Sequence, residues 1–135
     1  HLKELVLEGE FKLSVEVYYI ALNIDPILHI SEQDWNGLCW YGSLYNHARD
    51  VMFACEKAVA LAPQYGVYID SRGLARALTG DYKGAIKDFE IFVKWIDNSE
   101  EKSFRQREKS LRQSWIKDLH NGKNPFTPEV LKKLR

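Results

Sequence analysis

The sequence predicts an all-α protein, and three features carry that prediction. Apolar residues recur at spacings of three and four through most of the 135 residues, which is the period of an amphipathic helix. No stretch alternates apolar and polar residues around an Asn-Gly or Asp-Gly turn, as a β-hairpin would. With 45% hydrophobic residues and no apolar run near the roughly 18 residues of a membrane span, we expect one soluble globular domain.

Residues 1–26 carry the pattern of a helical hairpin whose beginning is missing. The chain opens with His1, and the next residues have helical spacing rather than the basic-then-apolar order of a signal peptide. We therefore expect a fragment of a longer protein. A glycine, two aromatic residues and a small residue occur here in an order and spacing that return later. The two sets are Gly9, Phe11, Ser14 and Tyr18, and Gly80, Tyr82, Ala85 and Phe89.

Residues 32–63 form the next predicted hairpin. The ending at residues 58–63 repeats the Ala-to-Pro ending of residues 21–26, and the closing prolines lie 37 positions apart (63 minus 26). Residues 27–31 are an insertion that lengthens the linker between the two units. Between the two helices of the second unit stands Asn46, which tolerates the left-handed conformation of a helix-ending turn.

The two cysteines of the chain, Cys39 and Cys55, fall one in each helix of this hairpin. Neither has a histidine or another cysteine at the spacing of a metal ligand. We predict two small, buried, reduced thiols, and hence a cytoplasmic location and no metal site.

Residues 66–97 give the clearest hairpin. Gly80 stops one apolar stripe, Asp81 is a good N-cap, and a new stripe begins at once, so the chain turns back on itself. Gly73 and Ala77, four apart, are small enough for two helices to approach closely. The two stripes are Tyr68, Gly73, Leu74, Ala77 and Leu78, and Tyr82, Ala85, Ile86, Phe89, Phe92 and Val93.

Arg72 and Arg76 are unusual on the first of these helices, because they stand four apart among apolar residues. A planar guanidinium suits a carboxylate, and two interpretations are open. Either the two arginines form an internal ion-pair lock, or they contact a carboxylate of a partner. The candidate acids for a lock are Asp70, Asp88 and Glu129.

Residues 99–135 are predicted to cap the stack of hairpins. A long cap helix, ended by Gly122, turns an apolar stripe toward the preceding hairpin. Thr127 as N-cap and Pro128 in the first turn start a short final helix. We expect Arg135 to lie at or near the native end. The stripe of the cap helix comprises Phe104, Leu111, Trp115, Ile116 and Leu119.

The formal charge is zero overall but unevenly divided. Residues 1–100 contain 9 Lys and Arg against 15 Asp and Glu, and residues 101–135 contain 10 against 4. A nucleic-acid-binding domain is expected to be basic as a whole, so we predict no nucleic-acid partner. The basic tail pairs with the acidic body, or it contacts an anionic partner or another domain.

One unit has a Trp-x-x-Leu start and a closing proline, and the next has a glycine-aromatic turn and an Ala-x-x-x-Phe spacing. The matching residues are Trp35, Leu38, Cys39, Ala58 and Pro63 in one unit, and Gly73, Gly80, Tyr82, Ala85 and Phe89 in the next. In these residues the chain resembles the tetratricopeptide repeat (TPR) family, whose repeat has about 34 residues, and it is similar to the C-terminal part of a bacterial TPR protein. It departs from the family pattern at Gly42, Asn46, Arg76 and Asp97.

The resemblance implies a right-handed superhelical stack of TPR helical hairpins. Residues 1–26 would be a truncated repeat, residues 32–63 and 66–97 two repeats, and residues 99–135 the C-terminal capping helix and short final helix. Stacked hairpins form a concave groove, in which family members bind an extended or helical peptide. The side chains expected there are Asn36, Trp40, Ser43, Leu44, Asp70, Leu74 and Ala77.

Trp40 is the strongest candidate anchor, because an aromatic side chain in a groove gives a large contact area. The alternative is a core tryptophan packed between repeats. The basic residues with which some family members clamp a peptide carboxylate are not found at the expected groove positions, so we do not expect a chaperone-tail binder.

No pattern in the sequence indicates catalysis. The four histidines are scattered, and no zinc, nucleophile-elbow or phosphate-loop motif occurs. Ser71 has charged neighbours but no positioned base. We predict a module without enzyme activity, cofactor or membrane contact that acts as a scaffold by binding a partner protein or peptide. Two alternatives are a regulatory segment of a larger enzyme and self-association through the truncated first repeat.

Overall fold

The computed structural model describes residues 30–98, 100 and 102–135. This part of the chain contains six helices and no strand, which confirms the all-α prediction. The helices are α1 (Glu32–Leu44), α2 (Ala48–Leu61), α3 (Gly66–Leu78), α4 (Tyr82–Ile96), α5 (Lys102–His120) and α6 (Pro128–Leu134). The predicted first repeat, residues 1–26, lies outside the described residues. None of the described helices combines the length and apolar character that a membrane crossing requires.

The helices pack as hairpins placed side by side. α1 packs against α2, and α3 packs against α4. The hairpins meet where α3 contacts both α1 and α2, and α5 continues the series by packing on α4. The short α6 returns to α1. The first helices of the two hairpins, α1 and α3, are therefore neighbours.

The turn between α3 and α4 has the chemistry that its sequence predicts. Gly80 has φ +90°, a left-handed value that glycine adopts without strain. The N–H of Asp81 donates to the carbonyl of Arg76 at 2.8 Å, and the N–H of Gly80 donates to that of Ala77 at 3.2 Å. These two bonds form a Schellman motif. The carboxylate of Asp81 then accepts from the N–H of Gly84 at 2.9 Å, so one residue ends α3 and the next begins α4.

Asn46 ends α1 in the same way. It has φ +72°, and the N–H of His47 donates to the carbonyl of Gly42 at 2.8 Å. Gly122, with φ +73°, ends α5 through the bond from the N–H of Lys123 to the carbonyl of Asp118 at 2.9 Å. Three helices therefore end in left-handed residues that the sequence identifies.

A disulfide bond joins α1 to α2. The Sγ atoms of Cys39 and Cys55 are bonded, their Cα atoms are 4.9 Å apart, and both residues are fully buried. This corrects the prediction of two reduced thiols. Spacing along the chain suggests no partner for either cysteine, but the antiparallel hairpin brings positions 16 residues apart face to face.

One of the two clusters of the apolar core surrounds three aromatic rings, which come from α4, α5 and the loop before α6. The ring of Trp115 lies 5.3 Å from that of Phe89 and 4.8 Å from that of Phe126. A Cβ on Gly73 would lie 2.8 Å from the Phe89 ring, so this glycine permits the close approach of α3 and α4. The other buried members of this cluster are Leu44, Leu74, Ala77, Ala85, Leu119 and Leu131.

The cap helix α5 buries only part of its predicted stripe. Trp115 and Leu119 are buried, whereas Leu111 is 36% exposed and does not belong to the core. The side chain of Phe104 lies outside the described residues. Two basic residues of α5 contact the residue that follows α4. Lys109 pairs with Asp97 at 2.9 Å, and Arg105 donates to the carbonyl of Asp97 at 3.3 Å.

Candidate functional site

A cavity of about 450 Å³ opens among α1, α3, α4 and α5. Its lining is mainly apolar and strongly aromatic. The aromatic residues are Trp40 and Tyr41 from α1, Tyr65 from the residue before α3, and Phe92 and Trp95 from α4. The polar residues are Asn36, Asp70, Ser71, Glu108 and Arg112.

Trp95 forms one wall of the cavity because the start of α3 has no side chain in its way. A Cβ on Gly66 would lie 2.5 Å from the Trp95 indole, so only a glycine permits this contact. The ring of Tyr65 meets the indole edge-on at 5.3 Å, and the ring of Phe92 lies 5.9 Å away. Tyr65 is 44% exposed, which places it at the rim.

The polar side of the cavity is built around the guanidinium of Arg112. Its Nε donates to Oδ1 of Asp70 at 2.9 Å, and its Nη2 donates to Oδ2 of the same carboxylate. Both side chains are only 6% exposed. The Nη1 of Arg112 donates to Oε2 of Glu108, one turn earlier on α5. A bidentate geometry of this kind is the strongest arrangement that an arginine and a carboxylate can form.

Aromatic rings also surround this guanidinium. Its Cζ lies 4.8 Å from the ring centroid of Phe92 and 4.6 Å from that of Trp115, within the range of cation–π attraction. Each nitrogen of Arg112 already donates to a carboxylate, and its π surface is covered by rings. The guanidinium therefore has little capacity left for a ligand.

Burial and pairing act in opposite directions on this ion pair. Burial raises the pKa of Asp70 above its ordinary value, although the hydrogen bond and the charge of Arg112 oppose the rise. Burial also disfavours the charged form of Arg112, but the hydrogen bonds and charges of Asp70 and Glu108 outweigh it and keep the pKa of Arg112 above its ordinary value. Each charged group is therefore stabilised in the interior by its contacts with the other, and loss of either partner would lower the free energy of unfolding.

The amide oxygen of Asn36 is buried and has no hydrogen-bond partner among the described residues. The hydroxyl of Ser71, by contrast, donates to the carbonyl of Val67 at 3.2 Å. A buried polar group without a partner costs free energy, and a ligand that supplies the missing bond recovers it.

The expected groove residues divide into two groups. Asn36, Trp40 and Asp70 line the cavity. The others are at most 1% exposed and cannot line a surface, which corrects their predicted placement; they are Ser43, Leu44, Leu74 and Ala77. The last three belong to the same apolar cluster as Phe126 and Leu131, so the C-terminal segment packs where the sequence suggests an open groove. The Ser43 hydroxyl donates to the carbonyl of Cys39 at 2.7 Å.

Arg72 and Arg76 lie away from the cavity and bind one acid. Arg72 donates to both oxygens of Asp88 at 3.0 and 2.9 Å, and Arg76 donates to one of them at 3.0 Å. The hydrogen bond to Asp88 raises the pKa of Arg72 above its ordinary value. Both arginines also reach Glu56 on α2, at 3.2 and 3.5 Å. The pair therefore connects three helices, as an internal lock would.

The cavity contains residues that the sequence does not single out. They include Tyr65, Trp95, Glu108 and Arg112, whereas the sequence predicts Phe92 only as a member of the apolar stripe of α4. Glu108 and Arg112 stand four apart on α5, a spacing that normally indicates a solvated surface pair. Their proximity to Trp115 on the same helix was the available signal, because a charged residue one turn from a buried aromatic can face inward.

No three His, Cys, Asp or Glu residues in the described part of the chain are grouped closely enough to hold a metal ion.

Comparison with family models, with curated proteins and with solved structures finds no match to this chain. The TPR resemblance therefore stays a prediction from the sequence motifs.

Proposed function

We propose that this chain is a non-catalytic protein-interaction module that holds a segment of a partner protein in the cavity among α1, α3, α4 and α5. The observation that supports this most directly is the cavity itself, about 450 Å³ in volume and walled by five aromatic side chains. Aromatic residues in a concave site give a large contact area with little loss of conformational entropy, and they are common binding hot spots.

The proposed architecture is a TPR-like superhelical stack. Support comes from the order of packing, in which α1 and α3 are neighbours and each second helix also contacts the next hairpin. In such a stack the first helices of the hairpins line the concave side. α1 and α3 supply seven of the thirteen residues that line the cavity, which supports that arrangement, and the rest come from α4, α5 and Tyr65.

The chemistry of the cavity favours binding over catalysis. Ser71 is the serine that lines this cavity, and its hydroxyl donates to the backbone of its own helix at 3.2 Å. No histidine or cysteine occurs among the described residues that line the cavity. A serine without a neighbouring base is a weak nucleophile.

The proposal is tested by blocking the cavity without disturbing the fold. Gly37 lines it, and a Cβ at this position would meet nothing within 4 Å. Gly37→Leu should fill the cavity while improving the helix propensity of α1. Trp40→Ala removes the proposed anchor. Leu61→Ala is the control, because Leu61 is 50% exposed and lies outside the cavity.

Each variant is used to capture partners from a lysate of the source organism, after circular dichroism has verified its helix content. A protein that is retained by the wild type and by Leu61→Ala, but lost by both cavity variants, supports the proposal. Equal capture by all four proteins would contradict it and would direct attention to the basic face of α5.

A further inference from the structure

We infer that the cavity recognises a basic side chain, so that the partner segment anchors itself with a lysine or an arginine. This inference rests on the proposed function and specifies its ligand. It is carried by the charge balance of the cavity, by two acceptor atoms that lack a hydrogen bond and by the aromatic lining.

The charges that line the cavity leave an excess of one carboxylate. Asp70 and Glu108 are acidic and Arg112 is basic. The guanidinium of Arg112 donates to both acids and is covered by the rings of Phe92 and Trp115. An anionic ligand would therefore find no available cation here, and it would be repelled by the remaining carboxylate charge.

Among the described residues, two acceptor atoms at the cavity have no hydrogen-bond donor. One is the buried Oδ1 of Asn36. The other is Oε1 of Glu108, whose nearest ion-pair contact among the described residues is the Nε of Arg107 at 3.9 Å, beyond hydrogen-bond distance. Arg107 is 71% exposed and can turn away into solvent. An ammonium or guanidinium group has several donors and no acceptor, and it fits two free acceptors.

The aromatic lining favours the same class of ligand. Aromatic faces attract cations, and this attraction strengthens when the cation is removed from water. Trp40, Tyr65 and Trp95 line the cavity. The long apolar stem of a lysine or arginine would pack against these rings while its charged end reaches Glu108.

The formal charge of the whole chain is zero, but its first 100 residues are net acidic. Residues 1–100 contain 15 acidic against 9 basic side chains. A net negative body speeds the approach of a basic partner segment, and the effect weakens as salt is added.

Selection from a library of random peptides tests the inference without presupposing a sequence. The peptides are selected on the wild-type protein after depletion on Gly37→Leu, which has a filled cavity. Lysine or arginine enriched at one fixed position is the expected result. Enrichment of neutral or acidic residues there would overturn the cation inference and leave the proposed function standing. If no peptide requires an open cavity, both are overturned.

A charge-matched pair of variants then locates the contact. Glu108→Gln should weaken binding of a selected basic peptide about five- to tenfold, because it removes the carboxylate charge at the cavity. Glu90→Gln removes the same charge from an exposed position outside the cavity and should leave the affinity unchanged. Equal affinities for both variants would overturn the assignment. Unfolding curves of the two variants separate a loss of binding from a loss of fold.

Discussion

At the scale of single residues, the contact between Asp70 and Arg112 joins two of the helices that line the cavity. The bidentate bond spans 42 positions of the sequence and ties α3 to α5 with both side chains almost fully buried. Removing one member of a buried pair leaves the other charge without compensation, which costs more than the pair contributes. Loss of this contact should therefore disturb the cavity even if a ligand contacts neither Asp70 nor Arg112.

We expect Arg112→Met to lower the free energy of unfolding at neutral pH by about 3–5 kcal/mol. Methionine retains much of the side-chain volume, so the loss reports mainly the unpaired carboxylate of Asp70. Urea unfolding followed by circular dichroism measures it. The double variant Arg112→Met with Asp70→Asn is the control and should lose less, because no buried charge remains. A double variant as unstable as the single one would contradict this account.

The loss in Arg112→Met should also depend on pH, with a definite sign. Burial raises the pKa of Asp70, and removing Arg112 takes away the hydrogen bond and charge that oppose the rise. A carboxyl group with a raised folded pKa destabilises the fold above that pKa, and the penalty disappears below the unfolded value of about 3.9. The deficit relative to the wild type should therefore shrink between pH 7 and pH 4, and a constant deficit would contradict it.

The sequence identifies Asp70 as a candidate site residue but does not identify Arg112. The alternating charges of α5 are typical of a helix exposed to solvent, and the local spacing does not show that Arg112 faces inward. The lock around Arg72 and Arg76 is easier to anticipate, because those arginines interrupt an apolar stripe. The acid that the two share, Asp88, is one of three candidates in the sequence, and only the packing of α3 on α4 selects it.

Two glycines in helix interiors should respond oppositely to alanine. Gly73→Ala would place a Cβ 2.8 Å from the Phe89 ring, so we expect a loss of about 1–3 kcal/mol from overpacking. Gly37→Ala meets nothing within 4 Å and should gain about 0.5–1 kcal/mol from helix propensity. Denaturant unfolding of both variants measures the contrast. Similar changes at both positions would show that the close approach at Gly73 is not structurally important.

At the scale of elements, the ends of the helices follow from local chemistry, which is why the sequence predicts them well. A left-handed residue after the last turn and an N-cap before the next helix act within a few positions. Gly80 and Asn46 both take left-handed values, although only the first is a glycine. Asn46 departs from the TPR pattern, but it takes the same left-handed conformation at the helix end as Gly80 does.

Asn46→Gly should therefore stabilise the protein by about 0.5–1 kcal/mol, because glycine adopts positive φ without the steric cost that asparagine bears. The reciprocal change, Gly80→Asn, should destabilise the turn between α3 and α4. A Cβ at Gly80 meets no atom within 4 Å, so the effect comes from the backbone alone. Melting temperatures of the two variants measure it, and shifts of the same sign would contradict the assignment.

The disulfide between α1 and α2 is an element-scale feature that the sequence does not predict. Pairing Cys39 with Cys55 requires the register of two antiparallel helices, and a residue count gives only the separation. We expect alkylation of the denatured protein to label neither cysteine until a reductant is added, as intact mass spectrometry would show. Reduction should cost about 3 kcal/mol, the value for a closed loop of roughly 15 residues. Labelling without reductant would contradict the bond.

At the scale of the whole molecule, helical periodicity is sufficient to predict the fold class and the order of the hairpins. Helical periodicity does not predict where the C-terminal segment packs. Arg135 donates to the carbonyl of Leu44 at 3.2 and 2.9 Å across 91 positions, and its guanidinium lies 4.1 Å from the ring of Tyr45. Such a contact depends on where two distant segments meet in space. Leu44, Leu74 and Ala77, which the sequence places in an open groove, lie in the same buried cluster as Phe126 and Leu131 of this segment.

The C-terminal segment should consequently contribute to the stability of the entire described fold. Phe126 is 5% exposed and contacts the rings of Phe89 on α4 and Trp115 on α5. We expect Phe126→Ala to cost about 3–5 kcal/mol, the range for removing a buried phenylalanine. Ile91→Ala is the control, because Ile91 is 39% exposed and should change stability by less than about 0.5 kcal/mol.

The form of the unfolding transition decides between a general and a local contribution of Phe126. If the segment joins α4, α5 and α1 into one cooperative unit, tryptophan fluorescence and circular dichroism should give the same urea midpoint in Phe126→Ala, shifted below that of the wild type. Separate midpoints would show that only the cap loosens while the hairpins stay folded. In that case Leu44 and Leu74 would become exposed when the segment loosens, while the two hairpins stay folded.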